Sequence, residues 1–134
     1  MRISYPLPFS GHVISGLGRG KKLGFPTVNL DPDESFLFPF GVYAAFVFEN
    51  CFENCSENAR KFPALVHFGS RPTFASTNAS FEIYFFDFPK RKRFQKVFGE
   101  ILGKIRDVRK FSSVLELISQ IERDKQQAMV KFFA

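Results

Sequence analysis

The stretch Gly41–Asn50, GVYAAFVFEN, is a short run of valine, phenylalanine and tyrosine that ends in polar turn residues. Three similar runs, each bounded by Gly, Pro, Asn or Asp, are GHVISG at Gly11–Gly16, FPALVHFG at Phe62–Gly69 and SFEIYFFDF at Ser80–Phe88. β-Branched and aromatic residues favour strands, and the bounding residues favour turns. A fifth region, Phe94–Ile105, is predicted as one strand or a strand pair. Several short strands without intervening helices indicate an antiparallel barrel or sandwich.

The C-terminal segment changes from a strand pattern to a helical one. Ser113 and Glu116 match the capping box, in which the two side chains satisfy each other's backbone amides. Beyond them, apolar residues recur on one helical face: Val114, Ile118, Ile121, Ala128 and Phe132. Lys125 interrupts this stripe, and we expect its amine to reach past it to water. The predicted fold class is mostly β with one C-terminal helix, about residues 113–133, in a single domain of residues 1–134.

Length and composition limit the classes of protein to consider. The 134 residues suffice for one core, and 20 phenylalanines exclude a disordered chain. The apolar runs are far shorter than the roughly 20 residues of a membrane span, and MRISYPLPFS lacks a signal-peptide core. We therefore expect a cytoplasmic protein without membrane partners. The net charge of +6 suits nucleic acid, anionic lipid or a phosphorylated small molecule, and composition does not choose among them.

Two polar segments have simple interpretations. Cys51 and Cys55 lie in a tandem repeat, FENCFENC, and their Cys-x3-Cys spacing is a poor match to the usual zinc pairs, so metal binding is the less favoured alternative. We interpret the repeat as a loop duplication in a reducing compartment, within a polar loop over residues 49–61. The most basic run, PKRKRF at Pro89–Phe94, is interpreted as a solvated loop, with nucleic-acid binding as the alternative.

A glycine-rich basic stretch, GRGKKLGFPTVNL at Gly18–Leu30, is the first candidate functional element. It is not a P-loop, because Ser15 stands where the first glycine is needed and Lys22 stands where Ser or Thr is needed. The Gly-x-Gly-x-x-Gly fingerprint fails as well. The composition still suits phosphate, because glycine amides can approach phosphate oxygens and the basic side chains add charge. A plain hairpin with a basic tip is the alternative.

The same stretch ends in Pro-Thr-Val-Asn. Pro26 biases Phe25 toward an extended backbone. If that extension continues, Thr27 and Asn29 project from one face, because strand side chains alternate. A hydroxyl and an amide oxygen on one face suit a hard cation such as Mg²⁺, with phosphates and water completing its shell.

Four blocks of the sequence resemble the riboflavin kinase (flavokinase) family, whose members are stand-alone kinases or kinase modules of bifunctional FAD-synthesising enzymes. In chain order the blocks are GHVISGLGRGKKLGFPTVNL, PFGVYAAFV, HFGSRPTF with SFEIYFFDF, and IRDVRKFSSVLELISQIERDKQQA. The resemblance covers nearly the whole chain. It implies a six-stranded antiparallel Greek-key barrel with a C-terminal helix. It also implies transfer of the γ-phosphoryl group of ATP to the 5′-hydroxyl of riboflavin, giving FMN and ADP.

The resemblance implies a nucleotide side of the site. Gly16 to Lys22 would form a flap over the nucleotide, with Gly16 and Lys21 at ATP-contact positions. Thr27 and Asn29 match the pair that holds the nucleotide phosphates and the metal, Mg²⁺ or else Zn²⁺ or Mn²⁺. Mg²⁺ there would neutralise phosphate charge, which phosphoryl transfer requires.

The resemblance also implies a flavin side. Glu82 matches the family's catalytic glutamate and would accept the proton of the ribityl hydroxyl. From the residues alone, an acid on the outer face of an antiparallel strand is usually just solvated. Arg106 and the loop to Phe111 fall where the family's flavin loop lies.

One region departs from the family pattern. Family members carry a Tyr-Gly step, followed by a strand that leads to the Leu-Arg of the flavin loop. Phe98-Gly99 supplies this step but leaves the stretch to Arg106 several residues short. The usual spacing instead places the step at Arg93-Phe94, with both residues changed. The sequence leaves both assignments open.

The leading hypothesis is an ATP:riboflavin 5′-phosphotransferase, which we expect to act as a monomer on small molecules without nucleic-acid partners. One alternative is a nucleic-acid-binding β-barrel, supported by the charge, the Phe-rich strands and the basic run. Another is a flavin-binding relative without catalysis, because of the altered Tyr-Gly region. The adenylyl-transfer domain of bifunctional relatives is absent and the barrel starts soon after Met1, which favours a stand-alone kinase over an excised module.

Overall fold

Six strands and one helix make up the part of the chain that the computed structural model describes, which is residues 3–14, 27–33, 38–48, 60–70, 79–87 and 95–133. The strands are β1 Leu7–Ile14, β2 Thr27–Pro32, β3 Gly41–Phe48, β4 Lys61–Ser70, β5 Ala79–Phe85 and β6 Lys96–Arg106. The helix, α1, spans Val114–Phe132. Among the described residues, no helix is long and apolar enough to cross a membrane.

The strands form a closed barrel in the order β1-β2-β5-β4-β3-β6, and every neighbouring pair is antiparallel. β3, β4 and β5 are sequential neighbours, and β6 returns to lie beside β3 and closes on β1, which is Greek-key connectivity. Closure leaves no unpaired strand edge. The predicted fold, a six-stranded antiparallel barrel with a C-terminal helix, is confirmed.

The phenylalanine-rich composition fills the barrel interior. The inward-facing residues of the strands form one buried cluster, which includes Phe9, Leu30, Tyr43, Val47, Val66, Phe81, Ile83, Phe85, Val97 and Ile101. Phe9 and Phe81 lie 5.1 Å apart between ring centroids, and Phe38 stacks on Phe68 at 4.8 Å. Gly99 leaves room for this packing, because a Cβ there would lie 2.4 Å from the Phe9 ring and from the Phe46 carbonyl oxygen.

Strand β6, Lys96–Arg106, covers the described part of the region that departs from the family pattern. Phe98-Gly99 lies within β6, and Gly99 has a packing role there. Arg93 and Phe94 lie outside the described residues.

α1 packs on the outer face of the barrel. A second buried cluster joins Val42, Ala44, Leu65, Ile105 and Ala128, with half-buried Tyr84, Phe86, Leu102, Phe132 and Phe133 around it. Gly103 admits the helix closely, because a Cβ there would lie 2.6 Å from Cζ of Phe132. Phe133 contacts the rings of Phe46 and Phe86 edge-on, at centroid distances of 5.0 and 5.3 Å.

The predicted helix face is confirmed in part. Ile121 and Ala128 are buried, but Val114 is 58% exposed, because it begins α1 beyond the barrel surface. Lys125 is half-buried, and its amine lies 5.5 Å from the centre of the Phe86 ring.

The capping box is also confirmed in part. Glu116 N donates to Ser113 Oγ at 3.2 Å, as predicted. The Glu116 carboxylate instead accepts from Ser112 N at 3.2 Å and Ser112 Oγ at 2.7 Å. These bonds to Ser112 lower the pKa of Glu116.

The polar loop predicted over residues 49–61 ends before Lys61, which begins β4. Cys51, Cys55 and the basic run lie outside the described residues.

Candidate active site

Three of the predicted site residues meet at the pairing of β2 with β5. Asn29 lies directly opposite Glu82, and Thr27 lies directly opposite Tyr84. Directly opposite residues project on the same side of a sheet, where their Cβ atoms lie about 4.5–5.5 Å apart. Because Leu30 and Ile83 point into the core, Thr27, Asn29 and Glu82 share the outer face, and all three are half-buried. Pairing of these strands therefore brings the predicted metal pair and the predicted base together.

The pairing continues around the barrel from this point. Glu82 is opposite His67, His67 is opposite Val42, and Val42 is opposite Arg106. We call the five residues Asn29, Glu82, His67, Val42 and Arg106 the register row. Three strand spacings of about 4.8 Å separate Glu82 from Arg106, roughly 14 Å along the barrel surface. The predicted base and the predicted flavin-side arginine thus lie on one face without touching.

A β-bulge at the end of β6 sets the direction of Arg106. Val42 pairs with Arg106 but the next residue, Tyr43, pairs with Lys104, so Ile105 is an extra residue. A bulge re-aims the side chains around it. Ile105 is 9% exposed in the cluster under α1, and Arg106 next to it also reaches the helix.

The helix partner of Arg106 is Asp124, a residue that sequence reasoning missed. Arg106 Nε lies 2.9 Å from Oδ1 and 2.9 Å from Oδ2 of Asp124, which is 1% exposed. Gln120 Nε2 also donates to Asp124 Oδ1, at 3.0 Å. The signal was present, because Asp124 stands three residues after Ile121 and four before Ala128, on the apolar face of α1. A buried carboxylate there requires a cationic partner.

The segment that follows Arg106 is tied to α1 as well. Arg106 Nη1 donates to the Asp107 carbonyl at 3.1 Å, and Arg109 Nη1 donates to Gln120 Oε1 at 3.3 Å. The Phe111 ring has two guanidinium groups near it, Arg109 at 4.9 Å and Arg106 at 5.7 Å from its centre. The two predicted flavin-side residues, Arg106 and Phe111, are therefore neighbours in one network.

Charge at this end of the barrel is balanced locally. The Lys104 amine forms an ion pair with Asp107, and this hydrogen bond and charge lower the pKa of the Asp107 carboxyl. Tyr43, which pairs with Lys104 and lies in the barrel interior, has its pKa raised to about 12 by burial, and its hydroxyl donates to the Pro39 carbonyl. Tyr43 therefore stays neutral and serves packing.

The donor set around Asn29 suits a hard cation. Thr27 supplies a hydroxyl, Asn29 an amide oxygen and Glu82 a carboxylate, and oxygen ligands are those that Mg²⁺ prefers. Within the described ranges there is no group of three or more His, Cys, Asp or Glu residues that could hold a metal. Gly16 and Lys21, the predicted nucleotide contacts, lie outside the described residues.

Comparison with known proteins shows the family of the chain. The family model described as Flavokinase: Riboflavin kinase matches residues 3–132. The chain belongs to the riboflavin kinase family. It is similar to the bifunctional riboflavin kinase/FMN adenylyltransferase of Bacillus subtilis, with 33% identity over 98% of the chain and 40% of that relative. The chain thus spans well under half the length of this relative.

Two further comparisons cover other parts of the family. The RNA-binding riboflavin kinase RibR of Bacillus subtilis is 34% identical over 86% of the chain and 46% of that protein. The crystal structure of riboflavin kinase from Trypanosoma brucei superposes with a TM-score of 0.64 at 21% identity, covering 98% of this chain and 84% of that one. The latter likeness supports the fold.

Proposed function

We propose that this protein is an ATP:riboflavin 5′-phosphotransferase that produces FMN and ADP. The observation that carries the proposal is the direct pairing of Asn29 with Glu82, with Thr27 on the same outer face. Phosphoryl transfer depends on positioning and on charge stabilisation more than on covalent chemistry by the protein. The oxygens of Thr27 and Asn29 would bind the metal that stabilises phosphate charge, and the Glu82 carboxylate would position the acceptor hydroxyl. Membership of the riboflavin kinase family supports this choice of substrates.

Glu82 is the general base of the proposed reaction. Its carboxylate orients the 5′-hydroxyl of riboflavin and accepts the hydroxyl proton as the oxygen attacks the γ-phosphorus. The new oxygen–phosphorus bond forms while the bond between the γ-phosphorus and the bridging oxygen breaks, and ADP leaves. The proton then passes from Glu82 to solvent.

Thr27 and Asn29 hold the phosphate end of the nucleotide in the proposed complex. Their side-chain oxygens would bind Mg²⁺, or Zn²⁺ or Mn²⁺ in its place, and the cation would neutralise charge on the β and γ oxygens. The side chains project from alternate positions of one strand, so the strand itself sets their spacing. Gly16 and Lys21 are proposed as further nucleotide contacts.

Arg106 and Phe111 form the flavin side of the proposed site. Arg106 is hydrogen-bonded to Asp124, and Gln120 joins Asp124 to Arg109. These bonds support the role, because a surface that binds a planar substrate must itself be rigid. Arg106 keeps Nη2 for further contacts, since the bonds described for it use Nε and Nη1. Riboflavin would extend from Arg106 and Phe111 to Glu82 without contacting Val42, which is buried in the cluster under α1.

Product analysis tests the proposal. The full chain is incubated with riboflavin, ATP and Mg²⁺, and FMN and ADP are resolved by chromatography, with a chelator in a parallel reaction and with Thr27→Ala alongside. We expect FMN formation that depends on the metal and is lost in Thr27→Ala. A folded chain that binds riboflavin but makes no FMN would identify a relative without catalysis. A folded chain that binds neither riboflavin nor ATP would overturn the proposal.

A second candidate function is binding of single-stranded RNA on the outer face of β3 and β6. The similarity to an RNA-binding riboflavin kinase motivates it. On this face the Lys96 amine lies 5.3 Å from the centre of the half-buried Phe98 ring, and Phe48, opposite Phe98, is 8% exposed with the Lys61 amine 5.6 Å from its centre. Aromatic rings with adjacent cations are what sequence-tolerant binding of single strands uses.

Fluorescence anisotropy with a labelled single-stranded RNA tests the second candidate. We expect binding that weakens with salt and is further weakened in the double variant Lys61→Ala, Lys96→Ala. Lys131→Ala, an exposed substitution on α1, is the matched control. Equal binding by the double variant and the control would exclude this surface.

A further inference from the structure

His67 occupies a place in the site that the proposed mechanism does not use. It lies directly opposite Glu82 on one side and directly opposite Val42 on the other, in the middle of the register row. Its strand neighbours Val66 and Phe68 point into the core, so His67 projects on the outer face with Glu82. The side chain is half-buried. His67 therefore stands between the predicted base and the flavin side.

The position of Gly69 shows where the imidazole ring points. A Cβ on Gly69 would lie 3.2 Å from Cε1 and 3.7 Å from Nδ1 of His67, and 3.5 Å from Cγ2 of Val108. The ring thus points along β4 toward the segment that follows Arg106. It lies beside Gly69, where any larger side chain would contact it. Val108 is 40% exposed, so the ring lies beside a surface that solvent and ligands reach.

The register row restricts what a bound riboflavin meets. A molecule with its 5′-hydroxyl at Glu82 and its ring system at Arg106 crosses β4 and β3 between them. The row residues there are His67 and Val42. Val42 is 3% exposed and packed in the cluster under α1, so His67 is the one of the two that a ligand can contact. The ribityl chain carries several hydroxyls that lose water on binding and need hydrogen-bond partners. An imidazole nitrogen can donate to or accept from a hydroxyl, which suits a polyol.

We propose that His67 is a substrate-binding residue that hydrogen-bonds ribityl hydroxyls of riboflavin between Glu82 and Arg106. This inference rests on the proposed function. It assigns His67 to recognition of the polyol chain, as distinct from the isoalloxazine ring, the nucleotide and the transferred phosphoryl group. Specificity for the ribityl chain therefore comes from β4, the strand between the two ends of the site.

Lumiflavin, which has the isoalloxazine ring but a methyl group in place of the ribityl chain, separates the two parts of the substrate. Equilibrium binding of riboflavin and of lumiflavin to the full chain is followed by flavin fluorescence in wild type, His67→Ala, His67→Gln and His67→Phe. We expect His67→Ala to bind riboflavin about threefold to tenfold more weakly, the usual size of one lost hydrogen bond. Lumiflavin binding stays within about twofold of wild type. His67→Gln retains most of the riboflavin affinity.

Matched controls make each outcome decisive. His12→Ala removes an exposed histidine from β1, outside the register row, and binds both flavins as wild type. If His67→Ala does not fold, His67→Phe keeps the ring volume and carries the comparison. An unchanged riboflavin affinity, or an equal loss for riboflavin and lumiflavin, overturns the assignment of His67. A wild-type chain that makes no FMN and binds no riboflavin overturns the proposed function itself, a result distinct from any change in a variant.

Discussion

Arg106 Nε lies 2.9 Å from both carboxylate oxygens of Asp124, so a buried ion pair joins the end of β6 to the middle of α1. Arg106 is 17% exposed and Asp124 is 1% exposed, so each charge is stabilised mainly by the other because little water reaches them. The same arginine begins the segment that leads to Phe111. Attachment of the helix and the shape of the flavin side of the site are thus coupled through one contact.

Removal of the Asp124 charge is expected to destabilise the fold strongly. Asp124→Asn leaves Arg106 as an uncompensated, mostly buried charge, which typically costs about 3–5 kcal/mol. Urea unfolding measures the loss, and Glu122→Gln, an exposed change on the same helix, is the control with little effect. The double variant Arg106→Met, Asp124→Leu should lose less than Asp124→Asn alone. A loss under about 1 kcal/mol for Asp124→Asn would show that the pair is not buried in solution.

Neutralising Glu82 is expected to separate catalysis from binding. Glu82→Gln keeps the shape of the side chain but accepts no proton, so kcat should fall by about 10²- to 10⁴-fold while substrate binding is largely retained. Steady-state kinetics of FMN formation measure this. Glu100→Gln is the matched control, since Glu100 lies on β6 opposite Pro8 and Phe46, outside the register row. Near-full kcat in Glu82→Gln would remove Glu82 from the mechanism.

Two buried glycines of β6 are expected to differ in their tolerance of a methyl group. In Gly99→Ala the new Cβ meets the Phe46 backbone oxygen at 2.4 Å, which cannot move without disturbing β3. In Gly103→Ala it meets the end of the Phe132 ring, which can shift with the last turn of α1. We expect losses of about 3 and about 1 kcal/mol respectively, measured by chemical unfolding. The opposite order would contradict the packing described for the two faces of β6.

The N-terminal cap of α1 is expected to contribute measurably to stability. Ser113→Ala removes the acceptor for Glu116 N and should cost about 1 kcal/mol in the free energy of unfolding. Ser119→Ala, an exposed change within α1, should be neutral or slightly stabilising because alanine favours helix. Equal Tm values for the two variants would show that the cap is not formed.

Asp33 is expected to make stability depend on pH in the acid range. Ser10 Oγ donates to its carboxylate at 2.8 Å and the Lys96 amine lies 3.4 Å away. The Ser10 hydrogen bond first, and the charges of Lys96 and His12 after it, hold the pKa of Asp33 below its usual 3.8 despite some burial. Because the folded-state pKa is lowered, the stabilisation is complete above the unfolded-state pKa. It is lost as the pH falls through the folded-state pKa.

The Asp33→Asn variant checks this sign. At pH 7 it should be less stable than wild type by up to about 1 kcal/mol, the usual scale for exposed pairs. The difference in Tm between wild type and Asp33→Asn should shrink as the pH falls below 3.8, the usual pKa of the group. Ser119→Ala, which changes an exposed residue of α1 without a titratable group, is the control without this trend. A difference that grows toward acid pH would contradict the assigned direction.

The sequence by itself indicated most of the elements and part of their faces. Strand alternation placed Thr27 and Asn29 on one side of β2, and helical spacing placed Ile121 and Ala128 on the packed face of α1. Ser113 was identified as the N-cap residue because a cap depends on residues within one turn. These features are local, since periods of two and 3.6 residues are properties of neighbouring positions. Family motifs added the residues of the nucleotide and flavin sides as predictions.

Only the tertiary structure decided which residues face each other. Pairing of β2 with β5 and of β5 with β4 places Asn29, Glu82 and His67 in one row, and a slip of one residue would turn each strand's side chains to the other face. Asp124 is buried because a bulge in β6 brings Arg106 to it from 18 residues earlier in the chain. Register and burial result from contacts between distant segments. The spacing of residues along one strand or one helix does not contain that information.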